Sequence, residues 1–294
     1  MRVVLLGTAA AGGFPQWNCA CALCTAARDG KLPSRSQECV AVTGNSRDWW
    51  LLNASPDLRT QLASAAPLWP GPAPRDTPVK GVLLTDAEAD HAMGLGVLRG
   101  GADLKVYAGP PVLAALAPLR AVLGRYTGWE WADALTDGGF VLAGGLVVTA
   151  HTVGTKAPGY VAGAAAEESW VIAYRIEDLA TGGVLLYAPC VAAWSQALDD
   201  LLATADCALL DGTFYAADEM GGAVRGEAVQ AAAGHLPVAG AQGSLPHLAR
   251  HPGPRRIYTH LNNGNPLLDP ASAARRRVTD AGVEVLEDGA ELVL

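Results

Sequence analysis

Short apolar runs, many of them β-branched and stopped by turn signals, recur along the whole chain. They lie at 2–6, 39–42, 49–52, 81–84 and 104–108, and again at 140–150, 170–175, 183–187, 207–210 and 256–258. Runs of this kind bounded by Gly, Pro, Asn or Asp read as buried strands. Helical stretches at 94–99, 111–123 and 194–203 fall between them. Strands interleaved with helices in each half predict an α/β fold. No low-complexity linker divides the chain, and the proline-rich stretch 66–78 reads as a surface excursion. Residues 1–294 are therefore expected to form a single domain of two similar halves.

Composition narrows the function classes. Half of the residues are apolar, 17% are charged, and the 34 Gly and 19 Pro follow no period, which excludes disorder, collagen and coiled coil. The net charge is −8, and no basic run exists beyond Arg275, Arg276 and Arg277. Nucleic acid and anionic membrane surfaces are thus poor partners. No segment approaches the roughly 18 uninterrupted apolar residues of a spanning helix. Gly7 interrupts the first apolar run too early for a secretion signal, so the segment reads as a buried first strand. Six cysteines are too few for a disulfide scaffold, and Cys19, Cys21 and Cys24 lie too close together to bridge one another comfortably. That points to a reducing, cytoplasmic setting and to a metal.

Chemistry concentrates where the run at 81–84 ends. Asp86, Glu88, Asp90 and His91 follow it directly, the position at which α/β enzymes place reactive groups on the carboxyl edge of a sheet. In extended backbone, carboxylates at 86, 88 and 90 would share one face, and a bound cation would relieve their repulsion. The same residues also read as an acidic turn capping the helix that follows. Two distant runs end comparably, in Leu210-Asp211-Gly212-Thr213-Phe214 and in Thr259-His260-Leu261-Asn262. Three strand ends offering Asp or His describe a converging site.

Thr85-Asp86-Ala87-Glu88-Ala89-Asp90-His91 resembles the Thr-His-x-His-x-Asp-His motif of the metallo-β-lactamase superfamily, with carboxylates replacing both leading histidines. Taken with residues 13–24, the Asp211 and His260 segments and Gly234-His235-Leu236-Pro237, the chain is similar to the family of that superfamily that serves biosynthesis of pyrroloquinoline quinone (PQQ). The resemblance implies a four-layer αββα sandwich, two β-sheets flanked by helices, with a metal at one edge. Carried over residue by residue, Asp90, His91, Asp211 and His260 form the surviving metal site. Such a donor set suits a non-haem ferrous ion with open positions, whereas a dinuclear hydrolase would need the missing histidines. The implied activity is an iron- and O₂-dependent hydroxylation of the tyrosine ring in a Glu-Tyr unit from a precursor peptide, with Asp86 or Glu88 moving protons. Implied partners are that small peptide or dipeptide and other proteins of the pathway. A metallo-hydrolase and a non-enzymatic carrier of PQQ are the alternatives.

His151 resembles the superfamily's third histidine; it reads either as an extra ligand or proton relay, or as an ordinary loop residue. Lys156 and Tyr160 are expected at the substrate mouth, where a Lys suits substrate carboxylates. Cys19, Cys21 and Cys24 can turn three thiolates toward one tetrahedral, structural zinc in the loop around 12–39. The superfamily analogy makes His235 its fourth ligand, with Cys39 the rival. Cys190 and Cys207 read as small core residues, Trp49 and Trp50 as core, and Trp17 as a support for the cysteine loop. Asn262, Asn263 and Asn265 read as turn formers or as groups orienting ligand or substrate.

Overall fold

A computed structural model describes residues 1–126, 128–164, 168–219 and 233–294. Its strands are β1 (Arg2–Gly7), β2 (Cys39–Thr43), β3 (Trp49–Leu52), β4 (Val79–Leu83), β5 (Lys105–Ala108), β6 (Glu130–Asp133) and β7 (Phe140–Leu142), followed by β8 (Leu146–Gly154), β9 (Val171–Asp178), β10 (Val184–Ala188), β11 (Cys207–Asp211), β12 (Arg255–Thr259), β13 (Val283–Glu284) and β14 (Glu291–Val293). They form two seven-stranded sheets, β14-β1-β2-β3-β4-β5-β6 and β13-β12-β11-β10-β9-β8-β7. The helices are α1 (Ala22–Arg28), α2 (Leu58–Ser64), α3 (Ala89–Ala92), α4 (Pro110–Ala115), α5 (Ala117–Leu123), α6 (Gln196–Ala203), α7 (Ser244–Leu248) and α8 (Ala273–Asp280).

Period-two alternation builds the layers. Val3, Leu5, Trp50, Leu52 and Leu83 of the first sheet meet Leu185, Tyr187, Cys207, Leu209 and Ile257 of the second in one core between the sheets. Their neighbours Val4, Leu6, Trp49, Leu51 and Val82 face outward, into a core that includes Leu58 of α2 and Leu123 of α5. Ala208 and Leu210 likewise face outward, toward Leu198 of α6, Leu248 of α7 and Val278 of α8. The strand runs are continuous rather than alternating because both faces of each sheet are covered. The expected four-layer αββα sandwich is thus observed.

Two segments differ from expectation. The run at 140–150 is the hairpin β7–β8, because Gly144 and Gly145 both take positive φ and turn the chain. The stretch 111–123 is two helices, α4 and α5, separated at Leu116 with Pro118 in the first turn of the second. Among the described residues, no helix is long and apolar enough to cross a membrane.

The arrangement aims parallel strand ends at one edge. β3, β4 and β5 run parallel in one sheet, as do β10, β11 and β12 in the other. The chain therefore leaves β4, β10, β11 and β12 in the neighbourhood of one cleft.

Candidate metal centre

The cleft is lined by Glu88, Asp90, His91, Lys156, Cys190, Thr213, Phe214, His235, His260 and Asn262, with Ala10, Ala11 and Ala233, and its volume is about 220 Å³. Hollows of about 420 and 590 Å³ lie beside β1 and under the proline-rich loop, but neither gathers a set of ligating side chains. Chemistry rather than volume locates the site.

Each expected ligand arrives from a strand end. Asp90 and His91 sit on α3, immediately after the loop that leaves β4. Asp211 ends β11, and His260 follows β12 in a left-handed conformation, φ 58°. His260 Nε2 lies 3.2 Å from Asp90 Oδ2, and the His91 and His260 rings are 5.0 Å apart. On the far side of His260, Thr213 Oγ1 is 2.7 Å from His260 Nδ1 and donates to Asp211 Oδ1 at 2.7 Å. Asp211 Oδ2 also accepts from Val191 N at 2.8 Å.

Burial would raise the Asp90 carboxyl, but the His91 charge and the His260 hydrogen bond hold it well below the carboxylate range. Asp211 is lowered too, its burial outweighed by His235 and His260. Burial opposes charge on His91, yet the carboxylates of Asp86 and Asp90 push its imidazole up to about 10. Buried carboxylates of this density balance a cation, and a metal displacing that proton would satisfy them equally.

The fit to a metal can be tested on one atom. His91 Nε2 is buried and has no hydrogen-bond partner, while Nδ1 donates to Asp86 at 2.8 Å. Once a metal displaces the second proton of the ring, that pairing holds Nδ1–H and turns the Nε2 lone pair toward the cleft, the state a metal-ligating histidine needs. Ligand atoms of His91, Cys190 and His260 lie within 4.8 Å of one another, and so do those of Asp211, His235 and His260. The residues present therefore suit a divalent ion with nitrogen and oxygen ligands.

The three carboxylates after β4 do not share a face as the extended reading expects. Glu88 turns the chain into α3, and each carboxylate finds a separate partner: Asp86 takes His91, Glu88 takes Lys156 Nζ at 2.5 Å, and Asp90 takes His260. Asp86 stands behind His91 and does not line the cleft, so it reaches the cleft only through the His91 ring. It accepts from Thr85 Oγ1, Glu88 N and His91 together, so it orients a ligand. Tyr160 donates to Ala87 O at 2.6 Å, so both expected mouth residues, Lys156 and Tyr160, engage the loop that carries the ligands.

His235 is the largest correction. Its Nδ1 lies 2.8 Å from Asp211 Oδ2 and its ring stacks on His260 at 5.2 Å, so it joins the histidine site and not the cysteines. The Gly234 turn that carries it packs on Lys156 at the cleft. His151 instead lies on β8, with Nε2 3.1 Å from Thr149 Oγ1, and does not line the cleft; neither its ligand reading nor its loop reading describes it.

Cys19, Cys21 and Cys24 do converge, with sulfurs within 4.8 Å of one another at the start of α1. Cys21 caps that helix by accepting from Cys24 N, and Arg28 ties the loop through the carbonyls of Gln16 and Cys19. Among the described residues no fourth His, Cys, Asp or Glu completes the group. Asn263 faces it instead, donating to Cys24 Sγ at 3.4 Å. The rival ligand Cys39 is buried with its thiol on Asn53 O, and Cys207 is core. Trp17 is 85% exposed, so it is not packed beneath the cysteine loop as expected. Of the three asparagines, Asn262 lines the cleft and Asn265 holds the carbonyls of Gly212 and Thr213.

Sequence reasoning missed Cys190, Thr213 and Phe214. The signal for Cys190 was present, since it follows the run at 183–187 as Asp211 follows the run at 207–210. Its apolar surroundings hid it, and they push its thiol well above the ordinary range.

Comparison with known proteins agrees with the fold. Residues 48–261 match the model of the β-lactamase superfamily domain. Coenzyme PQQ synthesis protein B from Pseudomonas fluorescens is 38% identical, and that from Methylococcus capsulatus is also 38% identical, each match covering all of both chains. The crystal structure of Zn(2+)-bound PqqB from Methylobacterium extorquens superposes over all of both chains with TM-score 0.92 at 35% identity. A diphosphatase of the PhnP family, 18% identical with TM-score 0.70 over all of this chain and 97% of its own, shares the fold.

Proposed function

This chain belongs to the coenzyme PQQ synthesis protein B family of the β-lactamase superfamily, and from that premise we propose that it hydroxylates the tyrosine ring of a Glu-Tyr unit during PQQ biosynthesis, using ferrous iron and O₂. The observation that carries this reading is the donor set. Two imidazoles, His91 and His260, and the Asp90 carboxylate line one cleft, Asp211 adjoins them through Thr213 and His235, and the unpartnered His91 Nε2 opens into it. The positions where the superfamily's hydrolases carry their two leading histidines hold Asp86, turned away behind His91, and Glu88, paired with Lys156. Fewer ligands leave open positions for O₂ and a phenol.

His91, Asp90, Asp211 and His260 would hold the iron, with His235 close enough to add a further nitrogen. When bound, ferrous iron supplies the activation of O₂. The chain's own part is to orient the ring and exclude water: Phe214 and Cys190 give the cleft apolar walls, and Lys156 at the mouth offers a cation to the dipeptide's carboxylates. A cleft of about 220 Å³ is smaller than the roughly 300–1,000 Å³ that drug-sized ligands fill, which suits a single ring entering from a short peptide. The cysteine group, with zinc, would fasten the first loop to the body, and residues 1–294 would work as one cytoplasmic domain.

The test is anaerobic loading of the metal-free chain with ferrous ion, followed by Glu-Tyr and isotopically labelled O₂. Mass spectrometry should find labelled oxygen on the ring. His91→Ala and His260→Ala should each abolish it. No product with iron demonstrably bound would overturn the oxygenase reading in favour of a hydrolase or a carrier.

A further inference from the structure

Behind His91 a buried polar network runs across the space between the sheets. Asn53, at the end of β3, takes a left-handed φ of 62° and is fully buried. Its Nδ2 donates to Tyr187 Oη at 2.9 Å and to Glu38 Oε2 at 3.3 Å, and Tyr187 donates to the same Glu38 oxygen at 2.5 Å. Its Oδ1 accepts from Thr85 N at 2.9 Å. The Thr85 hydroxyl then donates to Asp86 Oδ2 at 2.8 Å, and Asp86 accepts from His91. The backbone repeats the brace: Asn53 N donates to Leu83 O, Ala54 N to His91 O and Gly94 N to Ala54 O.

We propose that Asn53, itself held by Glu38 and Tyr187, is a positioning residue of the metal centre, fixing the Thr85–Asp86 turn that orients His91. The inference rests on His91 being a metal ligand and not on the oxygenase chemistry. The carboxamide of Asn offers a donor and an acceptor on one planar group, and here the donor side is satisfied by Glu38, just before β2 of one sheet, and by Tyr187 of the other, while the acceptor side grips the ligand loop. A non-glycine residue kept at positive φ in a core also indicates a backbone over-determined by its surroundings. Every contact in the chain from Glu38 to His91 is buried, so water cannot substitute for a missing member without opening the core.

Zinc affinity of the metal-free full chain is measured by competition with a chelating dye, and the tautomer of the His91 ring in the zinc-loaded chain by ¹⁵N NMR. Asn53→Ala should weaken the zinc step that His91→Ala also weakens, by about 10- to 100-fold, and should loosen the Nδ1–H tautomer. Thr85→Val, close in shape and therefore safer for folding, should weaken the same step about threefold to tenfold, within the range of a lost buried hydrogen bond. Glu38→Gln keeps an acceptor and should retain affinity, whereas Glu38→Leu should not. Asn53→Ala and Thr85→Val within twofold of the parent, with the tautomer unchanged, would overturn the relay alone. Equal losses in Glu38→Gln and Glu38→Leu would overturn Glu38's place in it. An unchanged zinc affinity in His91→Ala would overturn the ligand reading and the relay with it.

Discussion

At the scale of single residues, Lys156 separates recognition from chemistry. Its ammonium sits 2.5 Å from Glu88 at the cleft mouth, with both side chains about one-third exposed. A pair this wet contributes little to stability, so its placement is better explained by what approaches it. If a substrate carboxylate replaces Glu88 at Lys156, Lys156→Met should raise KM for Glu-Tyr about tenfold, the order expected for one charge-assisted hydrogen bond. Its kcat should stay near the parent value, since Lys156 does not touch the histidine ligands. Steady-state kinetics over a range of Glu-Tyr concentrations checks this, and an unchanged KM would leave Lys156 as a solvated surface cation. The same scale shows where sequence reading stops. Asp90, His91, Asp211 and His260 were legible as candidates because each follows an apolar run closely. His235 was not, because a residue flanked by glycine and leucine far from any strand end carries no mark of which of two sites it will join.

Among the elements, α3 and the 3₁₀ helix after it (Met93–Gly100) decide how firmly the ligand loop is seated. Gly94 lies against the end of β3, where a Cβ would come within 2.1 Å of Ser55 O and 2.6 Å of Ala54 O. Both are backbone atoms and cannot swing aside. Gly94→Ala should therefore shift the helix that carries Asp90 and His91, costing about 1–3 kcal/mol of stability as overpacking does and lowering bound metal. Gly96 lies two residues on and has nothing within 4 Å of its Cβ position; Gly96→Ala should be neutral or slightly stabilising. Urea midpoints and metal content of the two variants, measured side by side, check the contrast. Most strands were readable from sequence because continuous apolar runs fit sheets covered on both faces. The 140–150 hairpin was not, since its two arms are as apolar as one long strand and only Gly144 and Gly145 mark the reversal.

For the whole molecule, the consequential choice is a polar network placed inside an apolar sandwich. The sheets meet through Leu, Val, Ile and Tyr side chains, and into that contact Glu38 brings a carboxyl that is fully buried, with Oε1 lacking any partner. No sequence pattern announced it, because Glu38 stands beside an apolar run as an ordinary surface Glu would. Burial raises its pKa from 4.5 to about 7; the His91 charge and hydrogen bonds from Tyr187 and Asn53 act to lower it, and the charge of Asp90 adds to the rise. The folded state thus binds a proton that the unfolded chain releases near 4.5. Stability from this group is present in full below about 4.5, falls as pH rises toward 7, and is gone above it. The difference is of the order of 3 kcal/mol, at 1.36 kcal/mol per pKa unit. Glu38→Gln has the shape of the neutral acid and nothing to ionise. Its urea midpoint should equal that of the parent near pH 5 and exceed it near pH 8. Parallel curves across that range would mean that Glu38 stays ionised in the fold, with the cleft's positive groups bearing its charge. A positive result would explain how a carboxyl sits at the seam of two sheets without separating them: it enters as an acid, and its hydrogen bonds serve the ligand loop.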